Sequence, residues 1–259
     1  PLGVFGVALG TVILPSLSRH HVGTDRAGFS KALDWGLRIT LLIAVPAAIA
    51  LALLAEPLVA TLFQNGQYTA FDTRMTAAAV LALSCGLPAY ALVKVVLPAF
   101  YARQDTRTPV KAGVASLVIN MIFNGLLIAL FFELWAPASV KQGDWLAGIA
   151  QVPGLHVGLA LASALASYVN FLLLWHWLKR AGVYERQPGW LRHWLRLGSS
   201  CLAMAAVLLL GRWLWPEWLH GVPVVTRLWR LAVLVVAGAG TYVAVLFACG
   251  FRLRDLRGA

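Results

Sequence analysis

The hydrophobic positions of this chain fall into long, nearly uninterrupted runs that are separated by short polar segments. Most runs hold about 20 residues with few charges, which is the length that an α-helix needs to cross a bilayer. None alternates between polar and apolar residues with a period of two, so strands are not expected. The pattern predicts an all-α, polytopic transmembrane helical bundle. We expect seven spans, at residues 1–18, 37–55, 75–101, 111–132, 153–178, 195–215 and 228–250.

Two shorter features divide the chain further. Residues 58–63 are apolar but too short to span, and Asn65-Gly66 behind them is typical of a turn, so we expect this segment in the membrane interface. Pro188-Gly189 interrupts the chain before the last two runs. We therefore expect a transmembrane bundle at residues 1–183 and a final transmembrane helix pair at residues 184–259.

The composition supports a membrane protein. Hydrophobic residues make up 60% of the 259 residues and charged residues only 12%, whereas soluble domains are about a quarter charged. The 11 tryptophans fall near the ends of the runs or in the loops. Indole rings prefer that position because it corresponds to the headgroup region of the bilayer.

The placement of the basic residues predicts the orientation. The formal net charge is +11, from 21 Lys and Arg against 10 Asp and Glu. If the chain crosses seven times from outside, the loops then inside hold fifteen of the 21 basic residues and the outer side holds five. Such an excess marks the cytoplasmic side, so we expect a cytoplasmic C-terminus. Anionic membrane lipids are the expected partners of these loops, and nucleic acid is not.

The remaining basic residue, Lys94, lies inside the predicted span at residues 75–101, between Pro88 and Pro98. An ionisable residue at membrane depth is costly and usually faces the bundle interior or a polar pathway. We therefore interpret Lys94 as a candidate substrate-binding residue in a cavity. The alternative is that its long side chain reaches along apolar surface to the nearer interface, which Tyr101 marks.

Other polar residues also lie inside spans. Asn120 and Asn124 are one helical turn apart and share a face, and Ser163, Ser167 and Asn170 follow a comparable face of the next span. Such residues commonly hydrogen-bond between packed membrane helices, which is the interpretation we favour. The functional alternative is that they line a polar cavity or a cation site.

No enzyme motif is found in the sequence. A phosphate-binding glycine loop, a Cys-x-x-Cys pair and a His-Glu-x-x-His motif are all missing. His20 and His21 are adjacent, and neighbouring side chains do not face each other on a helix, so no metal site is expected. The acidic residues form no acid and base pair. We expect neither catalysis nor a cofactor.

The start of the chain is also informative. Residue 1 is not Met, no basic segment precedes the first run, and the apolar pattern is already under way at Pro1. A signal peptide would show a charged start and a small-residue cleavage site. We expect a cut through a transmembrane helix, with further sequence missing upstream.

Several stretches resemble the MurJ (MviN) family of lipid II flippases. They are PLGVFGVALGTVILPSLSR at residues 1–19, DWGLR at 34–38, LFQNGQYTAFD at 62–72, KVVLPAFYARQDTRTPV at 94–110 and QPGW at 187–190. The run FYARQDTRTP at residues 100–109 is the most specific of these. The resemblance extends to the Gly250-Phe251 end and so covers essentially the whole chain.

The resemblance implies a fold and a function. Family members have fourteen transmembrane helices in two lobes and belong to the multidrug/oligosaccharidyl-lipid/polysaccharide exporter superfamily. The chain would be the C-terminal half, and its missing N-terminal half would be its partner. The implied cargo is lipid II, the undecaprenyl-diphosphate-linked peptidoglycan precursor, moved across the bacterial inner membrane by alternating access. Lys94 would match a family lysine that faces the cavity, and the last helix pair would carry a groove for the lipid tail.

Two other functions are compatible with the pattern. An exporter of another amphipathic substrate from the same superfamily is the first. A small amphipathic cation as substrate would call for acidic cavity residues, whereas Lys94 is basic. The second is a membrane scaffold that transports nothing, in which case the charge of Lys94 would be an unexplained cost.

Overall fold

The computed structural model describes residues 25–141, 148, 149, 151–219 and 221–252. These residues contain eight helices and no strand: α1 (Arg26–Leu53), α2 (Ala55–Phe63), α3 (Ala70–Tyr101), α4 (Arg107–Trp135), α5 (Ala138–Lys141), α6 (His156–Arg180), α7 (Trp190–Leu214) and α8 (Val224–Ala248). All except α2 and α5 are long and apolar enough to cross a membrane. The predicted all-α membrane bundle is confirmed, with six of the seven expected spans seen as helices. The expected span at residues 1–18 lies outside the described residues.

Two helices, α1 and α3, begin where side chains cap them, so their bounds differ from those of the apolar runs. α1 begins at Arg26, well before residue 37, because Asp25 Oδ1 accepts a hydrogen bond from Gly28 N at 2.8 Å. α3 begins after a capping box in which Thr69 N donates to Asp72 Oδ2 at 2.9 Å and Asp72 N donates to Thr69 Oγ1 at 3.2 Å. Hydropathy marks the membrane-crossing length, whereas capping decides where α1 and α3 start.

Packing centres on α3, which lies against both α1 and α6. α4 packs mainly on α6, and α7 and α8 form a pair that contacts α1. One hydrophobic core connects these elements. Its members include Phe29 and Leu33 of α1, Phe100 of α3, Leu174 of α6 and Leu197 of α7, each at most 1% exposed.

The segment between α6 and α7 is held against α1. Asp34 accepts hydrogen bonds from the Tyr184 hydroxyl at 2.7 Å and from Trp190 Nε1 at 2.8 Å, and it pairs with Arg38 Nε at 2.6 Å. Arg38 also donates to the Pro188 carbonyl at 2.7 Å. The division of the chain at residue 183 stays a prediction. In the structure, the segments on its two sides share one core and this polar network.

Arginines bind the C-terminal end of α7 and the N-terminal end of α8 to neighbouring helices. Arg212 of α7 donates to the Leu53 carbonyl at 2.8 Å and pairs with Glu56 at 3.0 Å. Arg227 of α8 donates to the Ala60 carbonyl of α2 at 3.0 Å. These contacts satisfy carbonyls at helix ends, which have no partner inside their own helices.

Candidate functional site: a cavity around Lys94

A cavity of about 400 Å³ lies between α3, α4 and α6. It brings together five of the six residues that the sequence singled out as site or lining residues. The lining consists of Tyr90, Val93, Lys94, Leu97, Gly113, Ser116, Leu117, Asn120, Ser163, Ala166, Ser167 and Asn170. The sixth candidate, Asn124, is one turn beyond Asn120 on α4 and is not part of the lining.

The path of α3 explains why Lys94 reaches this cavity. Gly86, Tyr90 and Lys94 are spaced by four residues and therefore share one face of the helix. At Gly86 the helices approach so closely that an added Cβ would lie 2.7 Å from the Ala164 Cα of α6. One turn later the Tyr90 hydroxyl donates to the Ser163 carbonyl at 3.0 Å. The same face then presents Lys94 beside α6.

Three asparagine amides inside the spans have side-chain oxygens without a hydrogen-bond partner in the described structure. Asn120 and Asn170 line the cavity, and their buried Oδ1 atoms have no hydrogen-bond partner in the described structure. Asn124 Oδ1 is also buried and has no hydrogen-bond partner in the described structure. A buried acceptor without a donor costs about 1–3 kcal/mol. These amides therefore have spare capacity to accept hydrogen bonds, which a polar cargo can satisfy.

The serines contribute less between helices than their spacing suggests. Ser163 Oγ donates to the Leu159 carbonyl of its own helix at 3.1 Å. Ser167 Oγ donates to the Ala164 carbonyl at 2.6 Å, with the Gly86 carbonyl of α3 farther away at 3.4 Å. The hydrogen bonds between α6 and α3 come mainly from other side chains, which were not predicted from the sequence.

Two tyrosines make those interhelical bonds. Besides Tyr90, the Tyr168 hydroxyl of α6 donates to the Cys85 carbonyl of α3 at 2.8 Å. A tyrosine inside an apolar span could have pointed to these interhelical hydrogen bonds, because a buried phenol hydroxyl normally needs an acceptor.

Lys94 itself is exposed and makes no hydrogen bond or ion pair with a described residue. The cavity is open on one side because α4 is packed mainly on α6 and buries only Pro109, Ala112 and Phe132. A primary ammonium offers three donors and no acceptor. In apolar surroundings such a group attracts an anion far more strongly than it would in water. Lys94 lines this cavity, and its role in substrate binding stays a prediction.

The part of the chain that the structure describes holds no group of three or more His, Cys, Asp or Glu residues that could bind a metal ion. The cavity lining itself has one cation and neutral polar groups. Its chemistry is that of a binding surface with a positive centre, amide groups beside it and apolar side chains around it.

Comparison with known proteins gives a consistent result. The family model described as lipid II flippase MurJ matches residues 1–228. A probable lipid II flippase MurJ of Vibrio cholerae is 35% identical over 266 residues, covering 100% of this chain and 45% of the relative. The lipid II flippase MurJ of Burkholderia cenocepacia is 34% identical over 261 residues, covering 99% and 45%.

A solved structure supports the fold. The lipid II flippase MurJ in an inward closed conformation superimposes with a TM-score of 0.66 and 22% sequence identity, over 95% of this chain and 43% of that chain. At this identity the likeness concerns the fold alone. The chain spans about half the length of the curated relatives that it matches.

Six candidate spans and these relatives support a multi-pass protein of the bacterial inner membrane, in a family of transporters. The match over residues 1–228 covers most of the 259 residues. The chain therefore belongs to the MurJ lipid II flippase family.

Proposed function

We propose that this chain supplies the C-terminal half of a lipid II flippase. The complete protein moves the undecaprenyl-diphosphate-linked peptidoglycan precursor from the cytoplasmic to the periplasmic leaflet. The observation that carries the proposal is the family match over residues 1–228. Movement across the membrane changes no covalent bond of the cargo, so the protein acts as a transporter and needs no catalytic residue or cofactor.

Lys94 is the candidate for contact with the diphosphate. A diphosphate that leaves water needs cations close to it, because the interaction between unit charges 4 Å apart rises from about 1 kcal/mol in water to about 4 kcal/mol near a protein surface. Asn120 and Asn170 carry amide groups into the same cavity and can donate and accept hydrogen bonds around the headgroup.

The polyprenyl tail makes a different demand, since it needs only continuous apolar surface. The exposed side chains of α4 offer such a surface beside the cavity, and they include Leu117, Met121 and Leu130. A site between lobes that open alternately to each side of the membrane is the usual arrangement for transporters of this type. The missing N-terminal half would supply the facing lobe and further cations.

The charge distribution supports an orientation with the C-terminus in the cytoplasm, because basic residues concentrate in the loops placed inside. Arg103 and Arg107 then lie on the same side as Arg180 and Arg192. Anionic lipids of the inner leaflet are the partners that suit these loops. Nucleic acid is not proposed as a partner.

Complementation in a flippase-depleted bacterium tests the function. The full-length gene that carries this chain with its upstream sequence should restore growth. It should also expose the lipid-linked precursor to a hydrolase added from outside. Residues 1–259 expressed alone should insert into the membrane and restore neither, because one cation cannot compensate a diphosphate.

Two results would contradict the proposal. Failure of the full-length protein to expose the precursor, at membrane levels equal to those of a working flippase, would remove lipid II as the cargo. Growth supported by residues 1–259 alone would show that no N-terminal half is required.

A further inference from the structure

A second cavity, of about 480 Å³, lies between α1, the segment before α7, α7 itself and the residues that follow α8. It shares no lining residue with the cavity around Lys94. Its lining includes four basic side chains, Lys31, Arg38, Arg192 and Arg196, against the single carboxylate of Asp34. Such a balance attracts an anion.

The carboxylate is already fully engaged. Asp34 pairs with Arg38 at 2.6 Å and accepts hydrogen bonds from Tyr184 and Trp190. Lys31 and Arg192 make no hydrogen bond or ion pair within the described structure. Their positive charges are therefore available to a ligand in this cavity.

Two guanidinium groups converge at one wall of the cavity. Arg192 and Arg196 are one turn apart on α7 and so share a face. Their Nη2 atoms lie 3.5 Å and 3.4 Å from the point where a Cβ on Gly250 would stand. Arg196 also donates to the carbonyls of Cys249 and Gly250 at 3.1 Å and 2.6 Å. Because like charges this near repel, an anion between them is favourable.

A buried histidine provides an independent sign of a ligand. His193 lines the same cavity, its exposed fraction is 8%, and its Nε2 atom has no hydrogen-bond partner in the described structure. Leaving a buried polar atom without a partner costs free energy that a ligand atom can recover. The free ring nitrogen lies among the basic side chains.

The remaining wall is apolar and includes Ile39, Leu42, Leu246 and Phe251. A free phosphate ion gains nothing from such a surface, whereas a phospholipid places its headgroup on the cations and the start of its acyl chains on the apolar wall. We propose that this cavity binds the phosphate headgroup of an anionic phospholipid. The site is separate from the cavity around Lys94, because the two share no lining residue.

Lipid binding to the purified full-length protein tests the site. Native mass spectrometry in detergent compares phosphatidylglycerol with phosphatidylcholine of the same acyl chains. Wild-type protein should retain one phosphatidylglycerol more tightly than the rest and show no such preference for phosphatidylcholine. The double variant Lys31→Gln/Arg192→Gln should bind that lipid roughly 30-fold more weakly, since each basic side chain contributes separately to attraction.

The matched control is Arg74→Gln/Arg186→Gln, which removes the same charge from exposed positions outside the cavity and should leave the affinity for phosphatidylglycerol unchanged. The single variant Arg192→Gln should lower the affinity for phosphatidylglycerol roughly fivefold. It replaces the double variant in the test if the double variant unfolds at a lower temperature than wild type.

Three outcomes would overturn the inference. Equal losses of affinity for phosphatidylglycerol in the two double variants would show that general surface charge, and not this cavity, attracts the lipid. Equal retention of phosphatidylcholine would exclude recognition of an anion. Displacement of phosphatidylglycerol by millimolar inorganic phosphate would identify a free phosphate site, because a lipid held also by its acyl chains resists a small ion.

Discussion

Lys94 is the residue on which the proposed transport depends most directly. Lys94 lines a cavity whose other polar groups are amides and hydroxyls. At an effective dielectric constant of 20, one unit charge 4 Å from another contributes about 4 kcal/mol before any cost of desolvation. A diphosphate carries more charge than one lysine balances. Lys94 is therefore expected to assist a set of cations and not to act alone.

Substitutions of Lys94 in the full-length protein should show whether its side chain contacts the cargo in the cavity or extends to the membrane interface. Lys94→Ala should lower the rate of lipid II transfer several-fold in vesicles with equal protein, and Lys94→Glu should lower it further by adding repulsion. Lys94→Arg should retain part of the activity because the charge remains, although the two cations are not equivalent.

The matched control is Lys111→Gln, because Lys111 is an exposed lysine at the start of α4 and is absent from the lining. It should transfer the precursor at the wild-type rate. If the Ala, Glu and Arg variants of Lys94 all transfer lipid II at the same rate, Lys94 does not bind the cargo. Its side chain then reaches to the membrane interface instead.

At the scale of the elements, the contact between α3 and α6 decides where the cavity lies. Gly86 and Ala164 let the two backbones approach closely, as small residues commonly do between membrane helices. The hydroxyls of Tyr90 and Tyr168 then bond across the same contact. Together they hold the face that carries Lys94 against the serines of α6.

Gly86→Ala should destabilise this contact by about 1–3 kcal/mol, because the new methyl would meet Ala164 and force the helices apart. Thermal unfolding in detergent measures the effect. Gly125→Ala is the control, since a Cβ at Gly125 of α4 meets nothing within 4 Å and alanine is the better helix former. A loss for Gly125→Ala equal to that for Gly86→Ala would contradict the role of the close approach.

A second contact between elements fastens the segment before α7 to α1. Asp34 is 3% exposed and holds Arg38, Tyr184 and Trp190. Burial, and then the hydrogen bond to Asp34, raise the pKa of Tyr184. The phenol therefore remains protonated at neutral pH and continues to donate its hydrogen bond.

Asp34→Ala should lower the free energy of unfolding by about 3–5 kcal/mol, because a buried charge pair loses one partner. Tyr184→Phe keeps the ring and loses one hydrogen bond to a charged acceptor, which should cost about 2 kcal/mol. In the Asp34→Ala background the tyrosine change should cost almost nothing. If Tyr184→Phe lowers the free energy of unfolding equally in both backgrounds, as measured by thermal unfolding, the hydroxyl does not stabilise the protein through Asp34.

At the scale of the whole molecule, the alternation of loops across the membrane remains a prediction from charge. Single cysteines at Thr106 and Gln187, in a background without Cys85, Cys201 and Cys249, should resist an impermeant thiol reagent in intact cells. A cysteine at Gln67 should react, because its loop lies on the opposite side. Gln67 and Thr106 are both exposed, so a difference between them reports sidedness and not burial.

The control is the same experiment after the membrane is made permeable, when Thr106→Cys should react as readily as Gln67→Cys. Labelling of the first two positions and protection of Gln67→Cys in intact cells would reverse the orientation. It would also move the basic cavity beside α7 to the outer side.

The sequence by itself determined the class of this protein, the approximate positions of its six described spans and its family. These properties depend on local features: the hydropathy of about 20 consecutive residues, the side on which basic residues collect and the order of matched stretches. The same local reasoning selected Lys94, because a charge inside an apolar run is visible without knowledge of its neighbours.

The tertiary structure alone decided which polar residues meet. Asn120 and Asn170 join Lys94 while Asn124 remains outside the lining, and Arg192 converges with Arg196 beside Gly250. Helical spacing places residues on a face but does not tell which helix that face meets. That choice depends on contacts between residues far apart in the chain, such as Gly86 with Ala164 and Asp34 with Tyr184.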